Sequence, residues 1–258
     1  MWLLLATALL SCDPWFSYSP YESRLEETYQ GITEQNLELI SQRNAGARNA
    51  FKVALLSDTH YHFDKLDDAV SDINNKGYFD FVIVTGDIAD NGLKQEFVFF
   101  HESMKKLNIP YLTVIGNHDY LSNGEEVYGE MFGAYNYTFI FNRVKFVMFD
   151  NVRWESEKVP DFKWLETELV NDQDYDHVIP FSHIPPSGDQ MVEHQDIFHQ
   201  LLIQNNIRVS VHGHDHSYAL EELYGGGVLY HTISSPERRV YSELTITPSG
   251  IDILPIDY

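Results

Sequence analysis

The sequence predicts an α/β fold that begins with a parallel sheet. Short apolar runs rich in β-branched residues recur along the chain, and each is closed by a polar or glycine-containing turn, as is typical of buried strands. Segments with apolar residues at helical spacing separate these runs. Strands that alternate with helices in this way pair in parallel, because each helix returns the chain across the sheet.

The first part of this alternation contains three predicted strands and two predicted helices. The strands are the apolar runs 53–56, 81–84 and 111–115, and the helices are residues 64–75 and 94–107. These segments predict successive βαβ units.

The second part of the chain continues the pattern and adds antiparallel strands. Residues 137–141 and 144–149 flank Asn142-Arg143, which indicates a hairpin added to a sheet. After the glycines at 225–227, three short β-like runs predict an antiparallel end. The elements between are a helix at 161–171, a strand at 177–182, a helix at 190–205 and a strand at 207–212.

The composition fits one packed domain that does not bind long nucleic acid. The chain has 258 residues, of which 43% are hydrophobic, enough for a substantial core. Its formal charge is −22, from 17 basic and 39 acidic residues, and there is no basic stripe to neutralise a phosphate backbone.

Residues 1–11 are predicted to be a signal peptide. The apolar run from Trp2 to Leu10 is shorter than the roughly 18 residues of a spanning helix, which favours a leader. Its ending, Leu9-Leu10-Ser11-Cys12, resembles a bacterial lipobox, whose cysteine is lipidated after cleavage, and Cys12 is the only cysteine. The expected product is an exported, membrane-anchored lipoprotein. An ordinary leader, with a secreted or periplasmic product, is the alternative, because no Lys or Arg follows Met1 and Leu10 is bulky for its position.

Residues 12–50 are predicted to form a lipid-anchored tether and an N-terminal helix. The stretch from Asp13 to Pro20 carries two prolines and few aliphatic side chains, as a tether would. Residues 21–43 space their apolar side chains like a helix, which either lies on the domain or separates it from a membrane. The domain itself is predicted to span residues 51–258.

The predicted strands end in residues that bind metal ions well. Open α/β sheets place their sites beyond the carboxyl ends of strands, so these endings are expected to meet. Taken singly, each is better explained by a hydrogen-bonded loop residue or a turn than by a metal ligand. The endings are Ser57-Asp58-Thr59-His60, Gly86-Asp87, Gly116-Asn117-His118-Asp119, Ser182-His183 and Gly213-His214-Asp215-His216.

Taken together and in order, the motifs D-x-H, G-D, G-N-H-D, H and G-H-x-H resemble those of the calcineurin-like metallophosphoesterases, from about Phe51 to His216. The resemblance implies two packed mixed β-sheets flanked by helices. It also implies two divalent metal ions. The ligands implied are Asp58, His60 and His216 for one ion, Asn117, His183 and His214 for the other, and Asp87 as the bridge. Imidazole and oxygen ligands suit Mn²⁺, Fe, Zn²⁺ or Mg²⁺ without choosing among them.

The function that the resemblance implies is hydrolysis of a phosphate ester by attack of a metal-bridging hydroxide. The family role of His118 is to stabilise the transition state or protonate the leaving oxygen, with Asp119 orienting it and raising its pKa. The expected substrate is a small or lipid-linked phosphomonoester or phosphodiester, which the acidic surface does not exclude, because bound cations dominate the local field.

Two other functions remain open. One is a pyrophosphatase acting on nucleotide-sugar or lipid precursors, which a membrane anchor would bring within reach. The other is a metal-binding scaffold without turnover, which is disfavoured because all seven ligand positions and His118 are present. The oligomeric state is not predicted.

Overall fold

A computed structural model of the protein describes Ser19 and residues 21–44, 48–172 and 175–258. The predicted signal peptide and Cys12 lie outside the described residues. The strands are β1 (Phe51–Leu56), β2 (Phe81–Val84), β3 (Tyr111–Thr113), β4 (Tyr137–Phe141), β5 (Val144–Met148), β6 (His177–Phe181), β7 (Val209–His212), β8 (Ala219–Glu221), β9 (Leu229–Thr232), β10 (Val240–Thr247) and β11 (Gly250–Asp257). The α-helices are α1 (Ile32–Arg43), α2 (Phe63–Lys76), α3 (Lys94–Met104), α4 (Gly124–Phe132), α5 (Phe162–Leu169) and α6 (Gln195–Gln204).

The strands form two mixed sheets, which confirms the predicted fold class. One sheet has the order β11-β10-β1-β2-β3, with β1, β2 and β3 parallel and β10 and β11 antiparallel. The other has the order β4-β5-β6-β7-β9-β8, with β5, β6, β7 and β9 parallel. The predicted hairpin joins β4 to β5, and Asn142 and Arg143 both have positive φ, which suits a tight hairpin turn.

The two sheets pack face to face over an aromatic and aliphatic core. Val53 and Leu55 of β1 point into this core, where they join Phe81 of β2 and Phe146 of β5. The alternate residues of β1, Ala54 and Leu56, point to the other face and belong to the cluster that includes the helices. Both faces of the parallel strands are therefore buried, which explains their continuous apolar runs.

Helix α1 is shorter than predicted and lies on the domain. The predicted helix starts at residue 21, but Gly31 has a φ of +66° and α1 begins only at Ile32. Ile40 of α1 is buried in the core between the sheets, and Leu25 and Ile32 are buried among the other helices. Of the two arrangements expected for this segment, the structure therefore has the packed one.

Other element boundaries also differ from those expected from the sequence. The helix expected at 190–205 is divided into a 3-10 turn at Asp189–Met191 and α6, which begins at Gln195.

Among the helices of the described residues, none combines the length and the apolar character that a membrane span needs. The loops that follow β1, β2, β3, β6 and β7 meet at one edge of the sandwich.

Candidate metal centre

The loops at this edge bring the seven predicted ligands together. Besides the group His60, Asp90 and His118, two groups made up only of predicted ligands each have donor atoms within 4.8 Å of one another: Asp58, His60, Asp87 and His216 form the first, and Asp87, His183 and His214 form the second. Asp87 belongs to both groups. The predicted bridging residue therefore occupies the position between the two donor sets.

The amide oxygen of Asn117 completes the second group. Its Oδ1 lies 3.0 Å from His183 Nε2 and 3.1 Å from His214 Nδ1. The Nε2 atom of His183 is also 3.2 Å from Asp87 Oδ2. Four side chains from four loops thus point their donor atoms at one small volume.

In the first group, two imidazoles and two carboxylates face each other. The Nε2 atoms of His60 and His216 are 3.2 Å apart. His216 Nε2 lies 3.4 Å from Asp58 Oδ1, and His60 Nε2 lies 3.8 Å from Asp87 Oδ2. Asp58 is fully buried and also accepts the backbone N–H of His214, at 3.0 Å from Oδ2, so it links the first and last motifs.

The backbone at these ligands is held in an unfavourable conformation. A positive φ is uncommon for non-glycine residues and costs about 1–3 kcal/mol where the surrounding structure imposes it. Such strain is concentrated at functional sites, so its presence at five predicted ligands supports a site here. These residues are Asp58 (φ 53°), His60 (φ 43°), Asp87 (φ 50°), His214 (φ 76°) and His216 (φ 55°).

Glycines of the motifs allow the loops to approach each other closely. A Cβ atom on Gly116 would lie 2.2 Å from the backbone nitrogen of Asp87 and 2.3 Å from its Oδ1. A Cβ atom on Gly86 would lie 2.7 Å from both the Cα of Gly116 and His183 Nδ1. The glycines before Asp87 and Asn117 are therefore required by close packing between the loops.

Burial and mutual charge set the protonation of the cluster. Burial lowers the pKa of His60 and of His214, which keeps both rings in the neutral form that binds metals. Burial alone would raise the pKa of Asp87, but the neighbouring histidines, above all His183, hold it below its ordinary value. Burial opposes a charge on His183 as well, yet Asp87 raises the pKa of this histidine. The centre thus keeps a carboxylate that a cation can bind.

The donor set fits divalent metal ions. The Nε2 atoms of His60 and His216 face each other, and Asn117 Oδ1 lies 3.0–3.1 Å from imidazole nitrogens of His183 and His214, so nitrogen and oxygen atoms that can coordinate a cation converge from several loops. The set is nitrogen and oxygen only, which suits borderline and hard ions. Asp87, shared by both groups, is the residue that could join two ions.

His118 lies beside the donor groups, but its partner differs from the predicted one. Its ring is 4.8 Å, centroid to centroid, from that of His60, and its Nδ1 lies 2.7 Å from the carbonyl oxygen of Asp90. The expected contact with Asp119 is absent. Asp119 is fully buried and accepts the backbone N–H groups of Ala89 (2.9 Å) and Gly116 (2.8 Å).

Asp119 therefore joins the loop that carries Asp87 to the loop that carries Asn117 through these two hydrogen bonds. The prediction that Asp119 orients His118 is wrong. The physical reason is that the 3-10 turn at His118–Tyr120 points successive side chains in different directions. Burial, followed by the charge of Asp87, raises the pKa of Asp119 to about 8.

Two residues beside the centre were missed by the sequence interpretation. Asp90 lies near both histidines, because its Oδ1 is 3.3 Å from His60 Nδ1 and its carbonyl faces His118. Its position three residues after Asp87 was an available signal. Glu155 accepts a hydrogen bond from Asn117 Nδ2 at 3.3 Å, and nothing in the local sequence marks it.

Comparison with curated proteins finds phosphodiesterases that match part of the chain. A probable glycerophosphodiester phosphodiesterase of Arcobacter nitrofigilis is 38% identical over 84 residues, which are 28% of this chain and 31% of that protein. A probable cyclic nucleotide phosphodiesterase of Xenorhabdus bovienii is 33% identical over 78 residues, which are 30% and 32% of the two chains. The match thus spans about a third of each relative.

Solved structures share the fold at low sequence identity. A purple acid phosphatase from yellow lupin superposes with a TM-score of 0.64 at 13% identity, covering 82% of this chain and 52% of that chain. The protein described as the anchor in the inner membrane complex of Plasmodium superposes with a TM-score of 0.61 at 15% identity, covering 81% and 85%. These likenesses support the fold alone.

The family model for calcineurin-like phosphoesterases matches residues 51–218, which begin at β1 and end just after His216. This range contains every candidate ligand described above and strands β1 to β7. The chain therefore belongs to the calcineurin-like phosphoesterase family.

Proposed function

We propose that this protein hydrolyses phosphate esters with two divalent metal ions. The observation that carries the proposal is the position of Asp87, a buried carboxylate shared by two groups of donor atoms. A carboxylate shared by two sets of nitrogen and oxygen ligands could serve two metal ions, as two-metal hydrolysis of phosphate esters would use them. Asp58, His60 and His216 would hold one ion, and Asn117, His183 and His214 would hold the other.

The two ions, when bound, supply charge neutralisation for the phosphoryl group and acidification of a water molecule. The chain supplies the remaining chemistry. Because a carbonyl oxygen can only accept a hydrogen bond, Nδ1 of His118 carries the proton toward Asp90, which leaves Nε2 free to hold or release a second proton. We infer that His118 protonates the leaving oxygen and that Asp90 holds its ring in place.

The substrate that we propose is a small or lipid-linked phosphate ester. The phosphodiesterase names of the two partly matching relatives support this class, and the formal charge of −22 disfavours a long polyanion. A nucleotide-sugar or lipid pyrophosphatase is the second candidate. A scaffold without turnover is the non-enzymatic alternative, and a complete donor set beside His118 argues against it.

A substrate panel tests the proposal. The metal-free protein is prepared with a chelator and assayed on phosphomonoesters, cyclic and linear phosphodiesters and nucleotide pyrophosphates, before and after addition of Mn²⁺, Zn²⁺ or Mg²⁺. We expect hydrolysis of at least one ester class that chelation abolishes and metal restores. Metal binding at two ions per chain without turnover of any compound would support the scaffold instead.

We also propose that the protein is exported and anchored to a membrane through lipidated Cys12. Tyr21 and Glu22 contact the segments that follow the β2 and β3 loops, because Asn123 donates its side-chain N–H to the carbonyl of Tyr21, and Lys94 lies 3.4 Å from Glu22. Nine residues from Cys12 to Tyr21 reach at most roughly 30 Å, so this anchor would hold the site near the bilayer. Labelled palmitate should enter the protein but not a Cys12→Ala variant, and equal labelling of both would contradict the anchor.

A further inference from the structure

A buried glutamine positions the loop that carries Glu155 next to the metal centre. Gln190 is 3% exposed and its Oε1 accepts the backbone N–H groups of Arg153 (3.0 Å) and Trp154 (3.1 Å). Its Nε2 donates to Glu155 Oε2 at 2.8 Å. All polar atoms of the Gln190 side chain are thus used, and they fix both the backbone before Glu155 and its carboxylate.

Glu155 in turn determines which way the Asn117 amide faces. Asn117 Nδ2 donates to Glu155 Oε1 at 3.3 Å, so its Oδ1 must point the opposite way, toward His183 and His214. A carboxylate oxygen can only accept a hydrogen bond, and an amide presents its oxygen and its NH₂ group on opposite sides. The side-chain amide of Asn117 therefore lies between the carboxylate of Glu155 and the imidazoles of His183 and His214.

Glu155 adds a negative charge at the edge of the candidate centre, beside Asn117. Within the described residues, its hydrogen-bond partners are the uncharged amides of Asn117 and Gln190, and it forms no ion pair. Its side chain is partly exposed, so water screens this charge in part, but no side chain of the described residues neutralises it. Any anion that enters the centre experiences this charge.

We propose that Glu155 is a specificity-determining residue that favours monoanionic phosphodiesters over dianionic phosphomonoesters. A phosphomonoester carries close to two negative charges at neutral pH, because its second pKa is about 6, whereas a diester carries one. Repulsion by a fixed carboxylate acts on each charge, so the penalty for the monoester is about twice that for the diester. The inference deepens the proposed function and rests on it.

The decisive variant is Glu155→Gln, which keeps the size of the side chain, removes its charge and retains one of its two oxygen acceptors, so that either Asn117 or Gln190 loses a hydrogen bond. The measured quantity is the ratio of kcat/KM for a diester to kcat/KM for a monoester with the same leaving group, in metal-loaded protein. We expect the wild type to prefer the diester and the variant to reduce that ratio by about threefold to tenfold. An unchanged ratio, or a wild type that prefers the monoester, would overturn the inference.

The matched control is Glu157→Gln, which removes the same charge from the same loop at an exposed position two residues away. Its ratio should equal that of the wild type. An equal fall in both variants would mean that the general charge of the loop, and not Glu155, sets the preference, and the inference would fail.

A second measurement uses only the wild type, in case Glu155→Gln does not retain metal. Lowering the pH from 7.5 to 5 converts the monoester to a monoanion while the diester keeps its charge. The diester-to-monoester ratio should therefore fall in the wild type, and a constant ratio would contradict the inference. Absence of turnover on both esters with metal bound would instead reject the proposed function itself.

Discussion

An Asp87→Asn variant is expected to lose measurable hydrolysis, because Asp87 is the candidate ligand that both metal ions would share. Asn offers one neutral oxygen where Asp87 offers two charged ones, and this position belongs to both donor groups. Replacing a residue that only hydrogen-bonds to a metal ligand costs about 10–100-fold in metal affinity or activity. Replacing a ligand shared by both ions should therefore lower kcat/KM by more than about a hundredfold. The assay is steady-state turnover together with metal content after gel filtration.

Thermal unfolding separates this loss from misfolding. A ligand that binds only the folded state at 100 times its Kd adds about 2.7 kcal/mol of stability, so metal should raise the Tm of the wild type. The metal-free Asp87→Asn protein should melt cooperatively and show little of this increase. The control is Asp64→Asn, which makes the same chemical change at an exposed position in the first turn of α2. Full metal content and turnover in Asp87→Asn would reject the bridging position.

A His118→Ala variant is expected to keep its metal ions and lose most of kcat. His118 lies beside the donor groups, and its Nδ1 is already engaged by the Asp90 carbonyl, so removal of the ring spares the candidate ligands. Loss of a general acid typically costs about 10²–10⁴-fold in rate. The measurement is kcat on two esters of the same phosphate that differ only in the basicity of the leaving alcohol.

The leaving group distinguishes proton donation from positioning. The nitrophenolate of a nitrophenyl ester leaves without a proton, so kcat on this ester should fall little in His118→Ala, whereas kcat on an alkyl ester should fall by the full factor. His62→Ala is the matched control, because His62 lies near the first motif but outside both donor groups. Equal losses on the two esters, or loss of metal, would show that His118 does not act as the acid.

The composition of the donor set could be recognised from the sequence because it depends on local pattern. Asp58, Asp87 and Asn117 each follow a short apolar run, and the alternation of runs predicted the parallel strands that bring such endings to one edge. The fold class is confirmed for the same reason, since β1 and β2 are buried on both faces and read as continuous apolar segments.

The ends of helices were harder to predict from the sequence, because they depend on the backbone conformation of single residues. Residues 21–43 have helical spacing throughout, but a φ of +66° at Gly31 delays α1 to Ile32. Its packing against the domain follows from Ile40, whose side chain is buried by residues far away in the chain. Local periodicity contains neither fact.

The local sequence pattern was therefore sufficient to identify the candidate metal ligands and the order of the strands that precede them. The orientation of those side chains depends on the tertiary structure. Asp119 turned out to tie two loops together, Asp90 stands beside His118, and Glu155 holds the Asn117 amide from 38 residues away. The reason is physical: hydrophobic periodicity is a property of neighbouring residues, whereas a hydrogen bond between loops depends on how strands that are distant in the chain pack together.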